Sequence, residues 1–186
     1  MMKINYSFWF LIIYSLFLGY FKELLILILC LLIHELGHYL IVLIFKLKIN
    51  YFNVSLFGGD MNISIQNVSK PIKLILYFNG VIFNFLFLLC AFIFNAQILI
   101  KFNLIIIIIN LIPIYPLDGF NICNLIFPQI FVINLSIICL IAIFIISIYT
   151  YSLGLLLIFL FLLTKFIQFL KINNEKKLYN IIQNMI

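Results

Sequence analysis

The chain contains no arginine, and only five of its 186 residues are acidic. Its formal net charge of +6 therefore comes from eleven lysines. Lysine lacks the planar guanidinium fork that recognises phosphates and base edges through paired hydrogen bonds. The basic charge thus does not indicate binding to nucleic acid, and we expect no nucleic-acid partner.

The four cysteines, Cys30, Cys90, Cys123 and Cys139, are scattered along the chain. No C-x-x-C pair is present, so neither a thiolate zinc site nor a dense disulfide framework is indicated. Free cysteines in apolar segments usually pack as small hydrophobic residues. Cys30 lies one helical turn before His34 and remains an alternative metal ligand.

Apolar residues dominate the composition, with 67% hydrophobic residues and a mean hydropathy of +1.34. Several runs exceed the roughly 18 residues that identify a membrane-spanning helix. The first run resembles a signal peptide, but the GYFKE sequence that follows it lacks the small residues of a cleavage site. The composition predicts an all-α polytopic protein of the cell membrane, with about six transmembrane helices. The predicted spans are 8–21, 24–45, 72–95, 97–115, 130–148 and 152–170.

Lysine positions predict the orientation of these spans. A cytoplasmic N-terminus puts nine of the eleven lysines at cytoplasmic ends and leaves Lys22 and Lys101 on the opposite side, in keeping with the positive-inside rule. Both termini are then cytoplasmic. We expect a membrane-embedded domain over 1–170 and an amphipathic cytoplasmic tail over 171–186 that lies on the membrane surface. Docking of a regulatory membrane partner is the alternative role for the tail.

Three polar residues interrupt the second predicted span, in the segment LLIHELGHYLIVL at 31–43. On a helix His34, Glu35 and His38 project from one face, and this is the H-E-x-x-H arrangement. Two imidazoles one turn apart can bind one zinc ion, while the intervening carboxylate reaches a water on the metal. The segment predicts a zinc site with Glu35 as general acid and base.

A catalytic zinc site needs a third protein ligand and an open position. Among the remaining acidic residues, Glu23 and Glu175 flank spans and Asp60 lies in a predicted turn, so we interpret all three as solvated. Asp118 is different, because it ends the segment NLIPIYPLD at 110–118.

The prolines of that segment, Pro113 and Pro116, together with Gly119, interrupt a membrane helix. Irregular backbone at membrane depth is tolerated where it lines a site. A divalent metal would also neutralise the carboxylates of Glu35 and Asp118, which are costly near the centre of a bilayer. We therefore predict one zinc per chain, bound by His34, His38 and Asp118.

Residues 51–68 alternate apolar and polar side chains and do not predict a span. Two short strands joined at Gly58-Gly59-Asp60 are expected. In lipid, such a hairpin offers a strand edge that could hold an unwound substrate by β-augmentation.

Four motifs together are similar to those of the site-2 protease family of intramembrane zinc metalloproteases. They are HELGH in the second span, FGG at 57–59, NGVIFNF at 79–85 and NLIPIYPLDG at 110–119. The strongest resemblance is to the six-span bacterial branch that processes a sporulation pro-sigma factor. NGV stands where the family usually has A-G-P, and the resemblance does not extend to the nucleotide-sensing regulatory domain of the sporulation branch.

The resemblance implies that His34, His38 and Asp118 bind zinc and that Glu35 is the catalytic acid and base. It implies a re-entrant β-hairpin after the second span, with its glycine pair Gly58 and Gly59 near the substrate. The side chains of Asn84 and Asn110 match polar positions near the family's active site.

The expected function is cleavage of a transmembrane or membrane-associated protein near its cytoplasmic side, in regulated intramembrane proteolysis. Processing of a pro-sigma factor is its narrower form. A metal-ion permease or a catalytically silent metal-binding membrane protein is the alternative. Glu35 distinguishes these classes, because a permease needs no general base beside its ligands.

Overall fold

The computed structural model describes residues 2–4, 15–55, 58–64 and 68–185, most of which are helical. Its helices are α1 (Phe21–Ile44), α2 (Lys70–Ile93), α3 (Gln97–Leu111), α4 (Asp118–Ile126), α5 (Gln129–Tyr149) and α6 (Leu153–Met185). Its strands are β1 (Met2–Ile4), β2 (Ile49–Ser55) and β3 (Gly58–Ile63). The chain forms two compact units, Met1–Asn110 and Leu111–Ile186.

Four helices within the described residues are long and apolar enough to cross a bilayer, and they confirm four of the predicted spans. They are Phe21–Ile44, Lys70–Ile93, Gln129–Tyr149 and Leu153–Glu175. Helix α3 has 15 residues and is about 22 Å long, shorter than the roughly 30 Å hydrocarbon core. Most of the predicted span 8–21 lies outside the described residues, so the total of six spans stays a prediction.

The membrane helices expose large apolar side chains that water would not tolerate in such numbers. Along α1, Leu25, Leu29, Leu32 and Leu36 recur at three- and four-residue spacing, and each is about half exposed. A continuous apolar stripe of this kind indicates contact with lipid. The protein is therefore a membrane protein, as its composition predicts.

Three helices end in the same way, with a non-glycine residue in the left-handed region. Lys46, Asn95 and Tyr151 have φ values of 50°, 50° and 49°. In each case the next N–H donates to a carbonyl five residues earlier, as Leu47 does to Val42 at 2.9 Å. This bond satisfies a carbonyl at the helix end, which is valuable near lipid.

Strands β1, β2 and β3 form one sheet in that order, with β1 parallel to β2 and β2 antiparallel to β3. The hairpin β2–β3 confirms the predicted strand pair after α1. The predicted turn is wrong, because Gly58 pairs with Ser55 and Gly59 pairs with Val54 inside the ladder. Strand β1 was not predicted, since three residues are too few to show an alternating pattern.

The first unit has a small core where α1 and α2 meet the hairpin. Ile41 and Val42 of α1 pack with Leu76 of α2, and Ile63 of β3 packs against this cluster. The sheet is therefore attached to the C-terminal half of α1, which carries the two histidines.

The second unit is built around the packing of α5 against α6. Its buried cluster consists of Ile114, Phe120, Val132, Leu140, Leu162 and Phe166. Helix α6 continues without interruption past the predicted boundary at 170/171 as far as Met185. That 171–186 lies on the membrane surface stays a prediction.

Candidate metal centre

Helix α1 places the two histidines on one buried face. His34 and His38 are 4% and 9% exposed, and their Nε2 atoms are 3.2 Å apart. Glu35, on the same helix, is half-buried. The three residues thus occupy the arc that the H-E-x-x-H spacing predicts, within a helix of membrane-spanning length.

The ring of His38 is oriented by a backbone carbonyl of α2. Its Nδ1 lies 2.8 Å from the Leu76 carbonyl oxygen. A carbonyl oxygen only accepts, so Nδ1 carries the proton in this bond. In the neutral ring the lone pair is therefore on Nε2, the atom that faces His34.

His34 is oriented by the side chain of Asn84. Its Nδ1 lies 2.8 Å from Asn84 Oδ1. The amide nitrogen of Asn84 donates to the Cys30 carbonyl at 3.0 Å and to Asn103 Oδ1 at 2.9 Å. Because both amide hydrogens are used there, Oδ1 is the atom that faces His34, and His34 also carries its proton on Nδ1.

Glycines bring α2 close enough to α1 for these contacts. A Cβ on Gly37 would meet the backbone carbonyl of Asn79. A Cβ on Gly80 would lie 2.5 Å from His38 Nε2 and 2.7 Å from His34 Cε1. The Asn79 side chain closes the packing by donating to the Gly37 carbonyl at 2.5 Å. In the motif NGVIFNF, Gly80 thus leaves room for the two histidine rings, and Asn84 is the hydrogen-bond partner of His34.

The histidine pair fits a zinc ion. Tetrahedral zinc with Zn–N bonds of about 2.0–2.1 Å separates two ligating nitrogens by about 3.3–3.4 Å. The observed Nε2 separation of 3.2 Å is close to that value, and both rings have the tautomer that directs the Nε2 lone pair to a metal. Hydrogen bonds from the opposite ring nitrogens are typical of metal-ligating histidines.

Asp118 is the first residue of α4 in the second unit, where it is 8% exposed. Its carboxylate offers an oxygen of a type that zinc accepts. A Cβ on the neighbouring Gly119 would collide with the Leu111 carbonyl. Glycine at this position therefore lets the backbone of residue 119 approach the Leu111 carbonyl closely.

The segment 112–117 between α3 and α4 is irregular, as its prolines predict. The Ser136 hydroxyl of α5 lies 2.5 Å from the Pro113 carbonyl oxygen. The ring of Tyr115 stacks on Phe169 of α6 at 5.0 Å between centroids and meets Phe120 edge-on at 5.7 Å. Contacts with both long helices of the unit hold the segment that carries Asp118.

The other predicted site residues have partners outside the histidine pair. The amide nitrogen of Asn110 donates to the Ile106 carbonyl of its own helix at 3.1 Å. Gly58 and Gly59 belong to strand β3. Their expected roles in positioning substrate stay predictions.

Sequence reasoning missed Gly37, Gly80, Asn79 and Asn103. For the first three, a signal was present, because Gly37 lies inside the HELGH motif and Asn79 and Gly80 begin the NGVIFNF motif. Asn103 gave no signal, since asparagine is common throughout this chain.

The fold is that of a site-2 protease. The structure is similar to the site-2 protease from Methanocaldococcus jannaschii, with a TM-score of 0.68 over 90% of this chain and 89% of that chain. The two sequences are 18% identical, so the likeness concerns the fold.

In sequence, the chain is similar to stage IV sporulation protein FB of Bacillus subtilis, with 28% identity over 132 residues. The match covers 65% of this chain and 46% of that protein, about half of its length. No protein-family model matches the chain. These comparisons confirm the resemblance to the site-2 protease family that the motifs indicate.

Proposed function

We propose that this protein is an intramembrane zinc metalloprotease that hydrolyses a peptide bond of a transmembrane or membrane-associated protein. The observation that carries the proposal is the histidine pair: two buried imidazoles with their Nε2 atoms 3.2 Å apart, next to Glu35. These groups lie in a helix that can cross a bilayer, where unbalanced polar residues are costly and usually functional. The site-2 protease fold supports the same activity.

His34, His38 and Asp118 are the proposed ligands of one zinc ion per chain. The histidines supply two of the three protein ligands of a catalytic site. The buried Asp118 carboxylate supplies the third, and its negative charge partly balances the metal inside the membrane. The irregular segment before Asp118 supports this assignment, because it is held by side chains of α5 and α6.

Bound zinc would polarise the scissile carbonyl and increase the acidity of a water molecule. Glu35 is the proposed proton carrier, which accepts the proton of the attacking water and then gives it to the leaving amine. Asn84 and the Leu76 carbonyl keep the two imidazoles in the ligating tautomer.

Cleavage is proposed to occur toward the cytoplasmic side of the membrane. Counted from Phe45, His38 and His34 lie seven and eleven residues inside α1, or roughly 10–16 Å at 1.5 Å per residue. The proposed context is regulated intramembrane proteolysis, with a pro-sigma factor as the narrower substrate class and a membrane partner as regulator. The similarity to a sporulation protein supports that class.

The proposed organisation is a catalytic membrane domain over 1–170 and a surface tail over 171–186. The hairpin β2–β3 is proposed as the edge that receives the unwound substrate, because unpaired backbone groups are costly in lipid. Asn110, Gly58 and Gly59 are proposed to position substrate or ligands around the centre.

The test combines metal analysis with comparison of membrane-protein fragments from cells that carry wild-type protein or Glu35→Gln. We expect about one zinc per chain in both proteins and loss of cleavage in Glu35→Gln. A metal permease would instead keep transporting metal after this substitution. Asp118→Ala and the double variant His34→Ala/His38→Ala should lose zinc. Undiminished zinc in the double variant would refute the proposed site.

A further inference from the structure

A chain of buried amides continues behind His34, away from the proposed metal. Asn84 on α2 and Asn103 on α3 are both 0% exposed. Asn84 Nδ2 donates to Asn103 Oδ1 at 2.9 Å, and Asn84 Oδ1 faces His34 Nδ1 at 2.8 Å. A residue on a third helix is thus linked to a proposed ligand through one intervening side chain.

Backbone carbonyls determine which way each amide points. Asn103 Nδ2 donates to the Leu99 carbonyl at 2.9 Å and to Cys30 Sγ at 3.4 Å. These two bonds use both amide hydrogens, so Oδ1 is the atom presented to Asn84. Asn84 in turn gives its second hydrogen to the Cys30 carbonyl.

Reversal of the Asn84 amide would be costly because of this arrangement. Its oxygen would then face two acceptors, the Cys30 carbonyl and Asn103 Oδ1, with no hydrogen between them. Its nitrogen would face His34 Nδ1 as a donor, and the ring would respond by moving its proton to Nε2. An Nε2–H group cannot bind a metal through that nitrogen.

We propose that Asn103 is a positioning residue, which acts through Asn84 to hold His34 in the tautomer that presents the Nε2 lone pair to the metal. This inference deepens the proposed zinc site and rests on it. Asn103 itself makes no contact with the metal in this scheme. Its effect on zinc binding therefore requires the amide of Asn84.

The first measurement reads the tautomer directly in metal-free protein. His34 and His38 are the only histidines, so ¹⁵N-histidine labelling gives four ring-nitrogen signals. In wild-type protein we expect Nδ1 of both rings to carry a proton, including when a further proton lies between the two Nε2 atoms, which are 3.2 Å apart. In Asn103→Leu, one ring should acquire a population that lacks the Nδ1 proton, while the ring bound to the Leu76 carbonyl should keep its Nδ1 proton. An unchanged tautomer for both rings would overturn the inference.

The second measurement is zinc affinity by chelator competition in a double-variant cycle. We expect Asn103→Leu to weaken zinc binding by about tenfold, the lower end of the effect of residues that orient metal ligands. Asn84→Leu should weaken it at least as much. The double variant should bind zinc no more weakly than Asn84→Leu alone, because Asn103 acts through Asn84. Independent, multiplying losses would overturn the inference.

The control for general destabilisation is Ile106→Ala, a buried apolar position on the same helix. It should lower the unfolding temperature but leave zinc affinity and the ring tautomers unchanged. If Asn103→Leu does not accumulate, Asn103→Ala replaces it in both measurements with the same expected results. The tautomer measurement needs neither metal nor substrate, so absence of protease activity would refute the proposed function without deciding this inference.

Discussion

At the scale of single residues, backbone carbonyls orient the polar side chains of the histidine pair. The carbonyls of Cys30, Leu76 and Leu99 each accept a side-chain hydrogen bond. A helical carbonyl has a second lone pair that can accept such a bond in addition to the helical one. Because no water competes inside a bilayer, this arrangement satisfies buried donors without placing further charges in the membrane.

Gly80→Ala tests the space that the histidines require. The added methyl group would lie 2.5 Å from His38 Nε2 and 2.7 Å from His34 Cε1, so at least one ring must turn away. We expect zinc affinity to fall by more than tenfold, while the protein still folds. Bound zinc is measured by elemental analysis after chelator competition.

The matched control for this substitution is Gly154→Ala. The nearest atom to an added Cβ there is Ser152 Oγ at 3.9 Å, so this variant should retain the zinc content of the wild type. Equal zinc affinity in Gly80→Ala and Gly154→Ala would show that the rings do not depend on the missing Cβ.

A site residue can be predicted when its partners lie close to it in the sequence. His34, Glu35 and His38 could be predicted because a single helix brings them together at four-residue spacing. The role of Asn103 could not, because its partners Asn84 and Cys30 lie 19 and 73 residues away. Only the packing of α1, α2 and α3 reveals which asparagine of an asparagine-rich chain meets the site.

At the scale of elements, the hairpin is connected directly to the helix that carries the histidines. Ile63 of β3 packs against the cluster of Ile41, Val42 and Leu76, and the N–H of Ser64 donates to the Lys48 carbonyl at 2.9 Å. Displacement of β3 would therefore alter the surface beside the histidine pair. A substrate strand added to this sheet would be held at a fixed height relative to α1.

Ser64→Pro is expected to reduce cleavage strongly and to leave bound zinc near the wild-type level. Proline removes the N–H that bonds to Lys48 and so separates the end of β3 from β2. The histidines and Asn84 are bonded to other elements and should keep their positions. Cleavage is measured with a membrane substrate, and zinc by elemental analysis.

Ser69→Pro is the matched control for this variant. Ser69 precedes α2 with φ −64°, a value that proline adopts without strain. It should retain activity. Full activity of Ser64→Pro, with normal folding and zinc, would mean that the hairpin only connects α1 to α2.

The ends of the membrane helices could be predicted, because they depend on the length of apolar runs. The position of the hairpin turn could not, because it depends on how the strands pair. The breaks at Lys46 and at 150–152 follow from polar residues between long apolar runs. The turn of the hairpin was misplaced because glycines usually indicate turns, whereas Gly58 and Gly59 lie in the ladder opposite Ser55 and Val54. Only the register reveals that difference.

At the scale of the whole molecule, the sheet restricts the topology. Met2 and Ile4 of β1 pair with Phe52 and Val54 of β2, so both segments lie at the same membrane level. Helix α1 crosses the bilayer between them. This pairing supports the prediction that the apolar run 8–21 spans the membrane before α1.

The last prediction is the complete topology, read by reporter fusions after Gly19, Lys73 and Ile186. The lysine distribution and the β1–β2 pairing together predict that Lys73 and Ile186 are cytoplasmic and that Gly19 is on the opposite side. The fusion after Ile186 is the decisive one, because it depends on whether the chain crosses between Gln97 and Asp118.

Helix α3 is only about 22 Å long, so a crossing there requires the irregular segment 112–117 to complete the distance. A cytoplasmic reporter after Lys73 combined with an external reporter after Ile186 would mean that this segment does not cross. A cytoplasmic result at both positions supports an even number of spans, with the Asp118 carboxylate inside the membrane directly after the irregular segment 112–117.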